Sequence, residues 1–306
     1  MRAQNMWRQI RKDKILYVMV IPGILYFFVF DYIPMYGVLM AFKDYSIFEG
    51  FMDSDWVGLA NFQQLFNTYG FTRALRNTII ISIYQLVFAF PIPILLAILL
   101  NELRSVLYQR FVQTAIYLPH FVSWVIIGGI MFAILSPSTG VIYEIASFFG
   151  YEGKVTNFLN SKEYFRGLLV VSNIWKEAGF GTVLYMATIA TINPQQYEAA
   201  KVDGAGKLRQ MWHVTLPGLR TTIVILLIFR VGQLLNAGLE QVFALYSPLV
   251  YEVSEILDTY VYKLAFNEAK FALATATGVF KALVCLVLVL ITNYIAKKID
   301  SESGLF

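Results

Sequence analysis

Gln233, Asn236 and Glu240 stand three and four residues apart in the otherwise apolar run 218–245, the spacing that places side chains on one face of a helix. Amides both donate and accept hydrogen bonds. Such a stripe could hold a neutral polyol such as a sugar by its hydroxyls, or it could satisfy polar groups on a neighbouring helix; the pattern leaves both open. Trp175 and Tyr185, in the run 165–192, add aromatic rings beside Asn173, Lys176 and Glu177. Lys176 and Glu177 are adjacent and cannot face each other on a helix, so each requires its own partner or an aqueous opening. With Asp31, Arg230, Glu240 and Lys281, they are ionisable groups within apolar runs, where charge is costly and turns toward a bundle interior or a water-filled cavity.

Catalytic chemistry finds no footing. His120, which follows Pro119 and precedes Phe121 and Trp124, has no second histidine three or four residues away, so it reads as a hydrogen-bonded structural residue and not as a metal ligand. Cys285 is the single cysteine; it has no intrachain partner and reads as packing. An integral membrane enzyme would need a convergent acid, base, nucleophile or metal set, and none is visible. No catalytic residue, no metal and no cofactor bound by this chain is expected.

The elements that must position these residues are membrane helices. Of 306 residues, 58% are hydrophobic and 14% charged, against roughly 45–50% and about 25% in soluble domains. A hydrocarbon core about 30 Å thick needs roughly 20 apolar residues in helical form, and six runs qualify: 15–41, 77–101, 113–136, 165–192, 218–245 and 271–296. The first is too long for a signal-peptide core and lacks a small-residue cleavage site after it, so it is retained as a helix. An all-α polytopic membrane protein of about six spans is the result. Pro91 and Pro93 should bend the second span, and Gly179 and Gly181 should loosen the fourth. Residues 43–76, 137–164 and 246–270 form long connections on one side, the first two packed as ordered loops, with Trp56, Leu59, Phe62, Leu65 and Phe66 at near-helical spacing in the first. With both termini on the other side, that side carries 13 Lys and Arg, against 8 on the loop side. The positive-inside rule then puts both termini in the cytoplasm. The net charge of +4 is a topology signal, and no nucleic-acid footprint accompanies it. Organisation along the chain reads as a cytoplasmic tail (1–14), a first helix with its outer loop (15–72), a transmembrane core (73–297) and a cytoplasmic tail (298–306).

Between the fourth and fifth spans lies a mixed-charge strip, 193–217, that carries strong local signals. Asn193 suits an N-cap, Pro194 the first helical position, and Gln196 the third position of a capping box. Gly204 suits the left-handed residue that ends a helix. A second turn and helix, 207–213, should lead to Leu216-Pro217, with Pro217 opening the next span. Two short cytoplasmic helices joined by a tight bend result. The small Ala199 and Ala200, ringed by Glu198, Lys201 and Asp203, offer a surface another protein could approach closely, or the strip could lie on lipid headgroups as an amphipathic helix. The GK in DGAGKL is no phosphate-binding loop: Lys201 stands where the first glycine belongs and Leu208 where Ser or Thr belongs.

The series Glu198-Ala199-Ala200, three residues, Gly204, nine residues, Val214, Thr215, Leu216-Pro217 resembles the EAA motif of the permease subunits of type I ABC importers, with Val214 in place of the usual isoleucine. The stretch YEAAKVDGAGKLRQMWHVTLPGL is similar to the carbohydrate-uptake branch of that family, nearest to permeases for complex oligosaccharides. The likeness covers roughly residues 70 to 297, and PGILYFFVFDYIPMYGVLMAFKDY resembles the family's first helix. It implies a MetI-like permease fold and a coupling role for Glu198, Ala199, Ala200, Asp203, Gly204, Leu216 and Pro217, seated in a groove of a separate ATPase. It implies as partners a second homologous permease subunit, an ABC ATPase dimer that handles ATP and Mg, an extracytoplasmic substrate-binding protein and a carbohydrate substrate, in the lipid bilayer of a bacterial cytoplasmic membrane. An importer permease for a non-carbohydrate solute is the alternative. A secondary transporter would show internal hydropathy repeats, which six spans and this strip do not suggest.

Overall fold

The computed structural model describes residues 13–150, 153 and 156–299. The basic residues at 2, 8, 11 and 12, Lys154 and the tail beyond 299 lie outside them. The fold is all-α, with one isolated antiparallel bridge, Lys43 to Trp56, among the described residues. The chain divides into two compact units, one made of the residues up to Asn67 together with Leu264–Val279, the other of Thr68–Lys263 with the chain from Phe280 onward.

In the first unit, helix α1 (Lys14–Phe27) runs on through a π turn (Phe28–Tyr32) and a 3-10 segment (Ile33–Phe42). Its apolar side chains are exposed from Ile15 to Met35, a surface suited to lipid or to another subunit. Beyond it the chain turns back: Asn61, near the start of the short helix Ala60–Phe66, donates its amide to the carbonyls of Ala41 (3.0 Å) and Lys43 (2.9 Å). Leu65 of the near-helical series is buried there, while Trp56 is exposed in the bridge.

The second unit holds α2 (Tyr69–Tyr84), a π turn (Gln85–Ala89), α3 (Pro91–Asn101), α4 (Val106–Tyr117), α5 (Trp124–Leu135) and α6 (Phe165–Ile189). It continues with α7 (Pro194–Val202), α8 (Lys207–Gln210), α9 (Arg220–Gly232) and α10 (Leu239–Leu245). The last helix, α11 (Phe271–Ile299), gives its later turns to this unit. By length and apolarity, Lys14–Phe42, Tyr69–Asn101 and Phe271–Lys298 can each cross a membrane, and two bent pairs bring the total to five. Helix α6, with 25 residues, is about 37 Å long at 1.5 Å per residue. It is long enough to be a sixth, but Lys176 and Glu177 lower its apolarity.

Three expectations about the spans are corrected. The third run is no single helix. After α4 a 3-10 turn (Leu118–Phe121) leads to a 100° bend before α5, because Pro119 cannot continue the hydrogen-bond ladder and Ser123 restarts the helix by accepting the Ile126 N–H at 3.4 Å. The fifth run is also interrupted: α9 ends at Gly232, Gln233–Gly238 is non-helical, and Gly238 sits at φ +90° before α10. Gln233, Asn236 and Glu240 therefore do not form a stripe on one helix. Finally, Gly179 and Gly181 do not loosen the fourth span, since α6 is continuous. A Cβ at Gly179 would fall 2.5 Å from the carbonyl carbon of Ile116, and one at Gly181 would fall 3.0 Å from Pro93. The two glycines let α4 and α3 pack close to α6. The prolines of the second span act as expected only in part: Pro91 opens α3 just after the π turn, and Tyr69–Asn101 still runs as one span.

Two apolar clusters hold this unit together. Ile81, Leu159, Phe165, Leu169, Val242 and Ile256 make one, and Ile94, Ala97, Ile98, Tyr185, Ile189 and Leu219 the other.

Candidate functional site

The strip after α6 begins where the local chemistry requires. Asn193 Oδ1 accepts the Gln195 N–H at 3.0 Å and Pro194 is the first residue of α7; the side-chain cap thus runs to Gln195. At the other end, the Gly204 N–H donates to the Lys201 carbonyl (3.0 Å) and the Ala205 N–H to the Ala200 carbonyl (2.8 Å). These are the two bonds of a Schellman termination, with Gly204 at φ +75°.

Beyond Gly206 the strip departs from a simple second helix. Helix α8 passes into a π turn (Met211–Thr215) and a further turn (Leu216–Gly218), and the chain then bends by 59° into α9. Pro217 lies one residue inside that last turn, so the membrane helix opens after it, at Arg220. The strip is braced against its own chain: Tyr197 Oη lies 3.0 Å from Thr215 Oγ1, the buried Gln210 donates to the Ala205 carbonyl at 2.7 Å, and Lys207 Nζ stands 2.5 Å from Glu102 Oε2. Yet α7 buries no residue. Glu198, Ala199, Asp203, Gly204 and Pro217 are exposed, with Ala200 and Leu216 half-buried. Val202, Leu208 and Trp212 expose 88%, 74% and 66% of their surface. A rigid element that presents apolar side chains has the form of a docking surface.

The pathway candidates separate. Gln233 and Asn236 are exposed on the unwound segment, where the Asn236 N–H donates to the Gln233 carbonyl at 2.8 Å. Irregular backbone at membrane depth is tolerated only where it is buried in protein or lines an aqueous cavity, so the break itself marks this stretch. Glu240 lines a cavity with Ser123, Trp124, Val125, Phe243 and Ala244. Trp175 is exposed on α6. Tyr185 faces no opening: at 3% exposure it packs in the apolar cluster with Ile94 and Leu219, where its ring fills space between helices.

A polar cluster at the bend between α4 and α5 was not legible as a unit. Lys176 donates to the carbonyls of His120 (2.5 Å) and Val122 (2.8 Å), two groups that the break in the ladder leaves without a helical partner. Glu177 Oε2 meets His120 Nδ1 at 2.8 Å, and Glu177 Oε1 lies 3.6 Å from Lys176 Nζ. Lys176 and Glu177 thus each have a partner of their own, as their adjacency required, although their charged ends also approach each other, which it did not suggest. The His120 ring stacks on Phe180 at 4.1 Å. Beside this cluster lies a cavity of about 380 Å³, lined among others by Phe90, Asn173, Glu177, Phe180 and Arg230. Arg230 and Glu177 were visible as ionisable residues, but a shared cavity requires α6 and α9 to be placed side by side.

Known proteins share this architecture. Residues 89–301 match the family model described as "Binding-protein-dependent transport system inner membrane component". The chain is 48% identical over 297 residues to Protein LplB of Bacillus subtilis (strain 168), covering 97% of this chain and 92% of that one. It is 48% identical over 291 residues to the polygalacturonan/rhamnogalacturonan transport system permease protein YteP of the same organism, covering 95% and 90%. It also resembles a chain in the crystal structure of a bacterial ABC transporter involved in the import of the acidic polysaccharide alginate, with a TM-score of 0.88, 42% identity, and coverage of 97% and 99%.

Proposed function

This chain belongs to the binding-protein-dependent transport system inner membrane components, permease subunits of ABC transporters and not enzymes, and we propose that it forms part of the pathway by which an oligosaccharide enters a bacterial cell. One observation carries the reading. The strip 193–218 is stiffened from within, exposes Val202, Leu208 and Trp212, and joins α6 directly to α9. A push on α7 is therefore passed to two of the three helices that line the 380 Å³ cavity.

In this reading a dimer of ATPase subunits, which hold ATP and Mg, seats α7 and moves it. Glu198, Asp203 and Lys201 orient the contact, Ala199 and Ala200 allow close approach, and Gly204 fixes the end of the helix. A second, homologous permease completes the passage, and an extracytoplasmic binding protein delivers the sugar. The unwound Gln233–Gly238 segment offers the exposed side-chain amides of Gln233 and Asn236 to hydroxyls in transit. Relatives with 48% identity across nearly the whole chain, one of them named for polygalacturonan/rhamnogalacturonan transport, support a carbohydrate over other solutes. In this reading both termini and the strip lie in the cytoplasm, which the excess of basic residues on that side supports.

Single cysteines at Ser138 and Lys207, in a Cys285→Ser background, test the orientation on which coupling depends. Impermeant reagent should label the first in intact cells and the second only after permeabilisation. The reverse pattern would place α7 outside, away from any ATPase, and end the proposal.

A further inference from the structure

We propose that the cavity between α3, α6 and α9 is an anion site that holds the carboxylate of a uronic-acid residue on Arg230, so that the sugar carried is an acidic oligosaccharide; this rests on the reading of the chain as an oligosaccharide permease. A guanidinium carries five N–H donors in a planar fork. Among the described residues Arg230 makes one hydrogen bond, from Nη2 to Gln85 Oε1 at 2.7 Å, and it lines the cavity. That bond fixes the Gln85 amide, whose Nε2 is buried without a partner, as is Ser82 Oγ one turn earlier. Gln85 Nε2 and Ser82 Oγ thus lack partners, as do the guanidinium N–H groups that Gln85 leaves free.

Nor is the charge balanced. Lys176 and Arg230 bring two cations to this region, against the single carboxylate of Glu177. That carboxylate is already engaged by His120 at 2.8 Å and lies 3.6 Å from Lys176. A guanidinium that must share one carboxylate with Lys176 is expensive at this depth, and a neutral sugar would not offset it. A carboxylate would do so bidentately, the pairing that the guanidinium fork favours. The rest of the lining fits a sugar ring: Phe90 and Phe180 supply apolar faces, the latter held by its stack on His120, and Asn173 supplies a donor and an acceptor.

A second cavity, of about 250 Å³, lies between α2 and the start of α6. It is lined by Arg73, Arg76 and Arg166, with Asn77 and Glu252. Arg73 is paired with Glu255, and Arg166 donates to Asn77 Oδ1 at 2.7 Å. Arg76 is exposed and makes no hydrogen bond or ion pair among the described residues. Arg166, Asn173 and Glu177 lie seven and four apart on α6, and hence along one face. An anion is drawn along this seam from one positive station to the next.

The test is equilibrium binding of radiolabelled trigalacturonate, and of its carboxyl-reduced neutral counterpart, to the purified complete importer without the binding protein. ATP-dependent uptake of both is then measured in proteoliposomes with the binding protein present. Wild type should bind the uronide at least about tenfold more tightly than the neutral sugar, a difference of roughly 1.4 kcal/mol. Arg230→Gln should abolish that preference, lowering uronide affinity at least about tenfold and neutral-sugar affinity by less. Arg230→Lys keeps the charge but not the fork, assembles where the Gln variant does not, and should retain only part of the preference. Equal affinity of wild type for the two sugars, no binding to wild type, or an equal loss of both in the variants would overturn the proposal and leave Arg230 as a brace for Gln85. Robust uptake of the neutral sugar alone would overturn it while sparing the permease reading; uptake of neither would remove both.

Discussion

Gly204 provides the sharpest prediction, because its surroundings separate two causes that are usually mixed. A Cβ at this position would meet nothing within 4 Å, so a larger side chain has room. The whole cost of substitution lies in the backbone, which holds φ at +75° to make the two terminating bonds from Gly204 and Ala205. For an ordinary L-residue that region costs roughly 1–2 kcal/mol, less for Asn and more for a β-branched side chain. A penalty of that size reduces the population of the correctly ended helix by about 5–30-fold. The series Gly204→Asn, Ala and Val should therefore lower ATPase co-purification and sugar-stimulated ATP hydrolysis in that order. Membrane insertion, and the stability of the rest of the chain, should be unchanged. If Val couples as well as Gly, or if the order follows side-chain volume with Ala equal to Gly, the bend does not set the docking geometry and the reasoning fails.

Three further outcomes rest on packing and charge. Gly179→Ala should cut the yield of folded protein, since its Cβ meets the Ile116 backbone at 2.5 Å and overpacking of this kind costs about 1–3 kcal/mol; Gly167→Ala, on the same helix with open space around it, should be neutral in the same thermal-stability assay. Lys176→Met should lower the thermal midpoint by leaving the His120 and Val122 carbonyls unmet, at about 1–3 kcal/mol, and an unchanged midpoint would show that water replaces the ammonium. The hydrogen bond from Lys162, and then its charge, hold the Glu252 carboxyl below its ordinary value. The stability gained from this pair is therefore present above the unfolded-state value, about 4.3, and is lost as the pH falls through the depressed folded-state value. The wild-type and Glu252→Gln melting curves should keep a constant offset from about pH 6 to 8 and converge only in acid; an offset that changes near neutrality would contradict the assignment.

Features that depend on a few neighbouring residues were open to the sequence. Asn193 and Pro194 start α7 and Gly204 ends it because caps and left-handed turns are local chemistry, and the same applies to the apolar runs long enough to span a bilayer. The breaks in the third and fifth spans were written in Pro119, Ser123, Gly232 and Gly238, but apolarity across those residues hid them, since hydropathy registers burial and not ladder continuity. The cluster of His120, Lys176, Glu177 and Arg230 lay beyond reach for a different reason. Its members come from three segments separated by more than fifty residues, and the close approach at Gly179, which seats α4 on α6, is not visible in any one of them. Tyr185 shows the reverse error: an aromatic beside polar residues read as a pathway group, although its helix face points into a core.

The central claim is that this chain turns ATP hydrolysis by partner subunits into sugar import through α7. It is tested most directly by uptake of a labelled oligosaccharide into proteoliposomes that hold the complete importer, with and without ATP inside, using wild type and Gly204→Val side by side. The account predicts uptake that requires both ATP and the binding protein and that falls at least about fivefold in the variant with the complex still inserted. Uptake that proceeds without ATP, or that is undiminished in the variant, would contradict it.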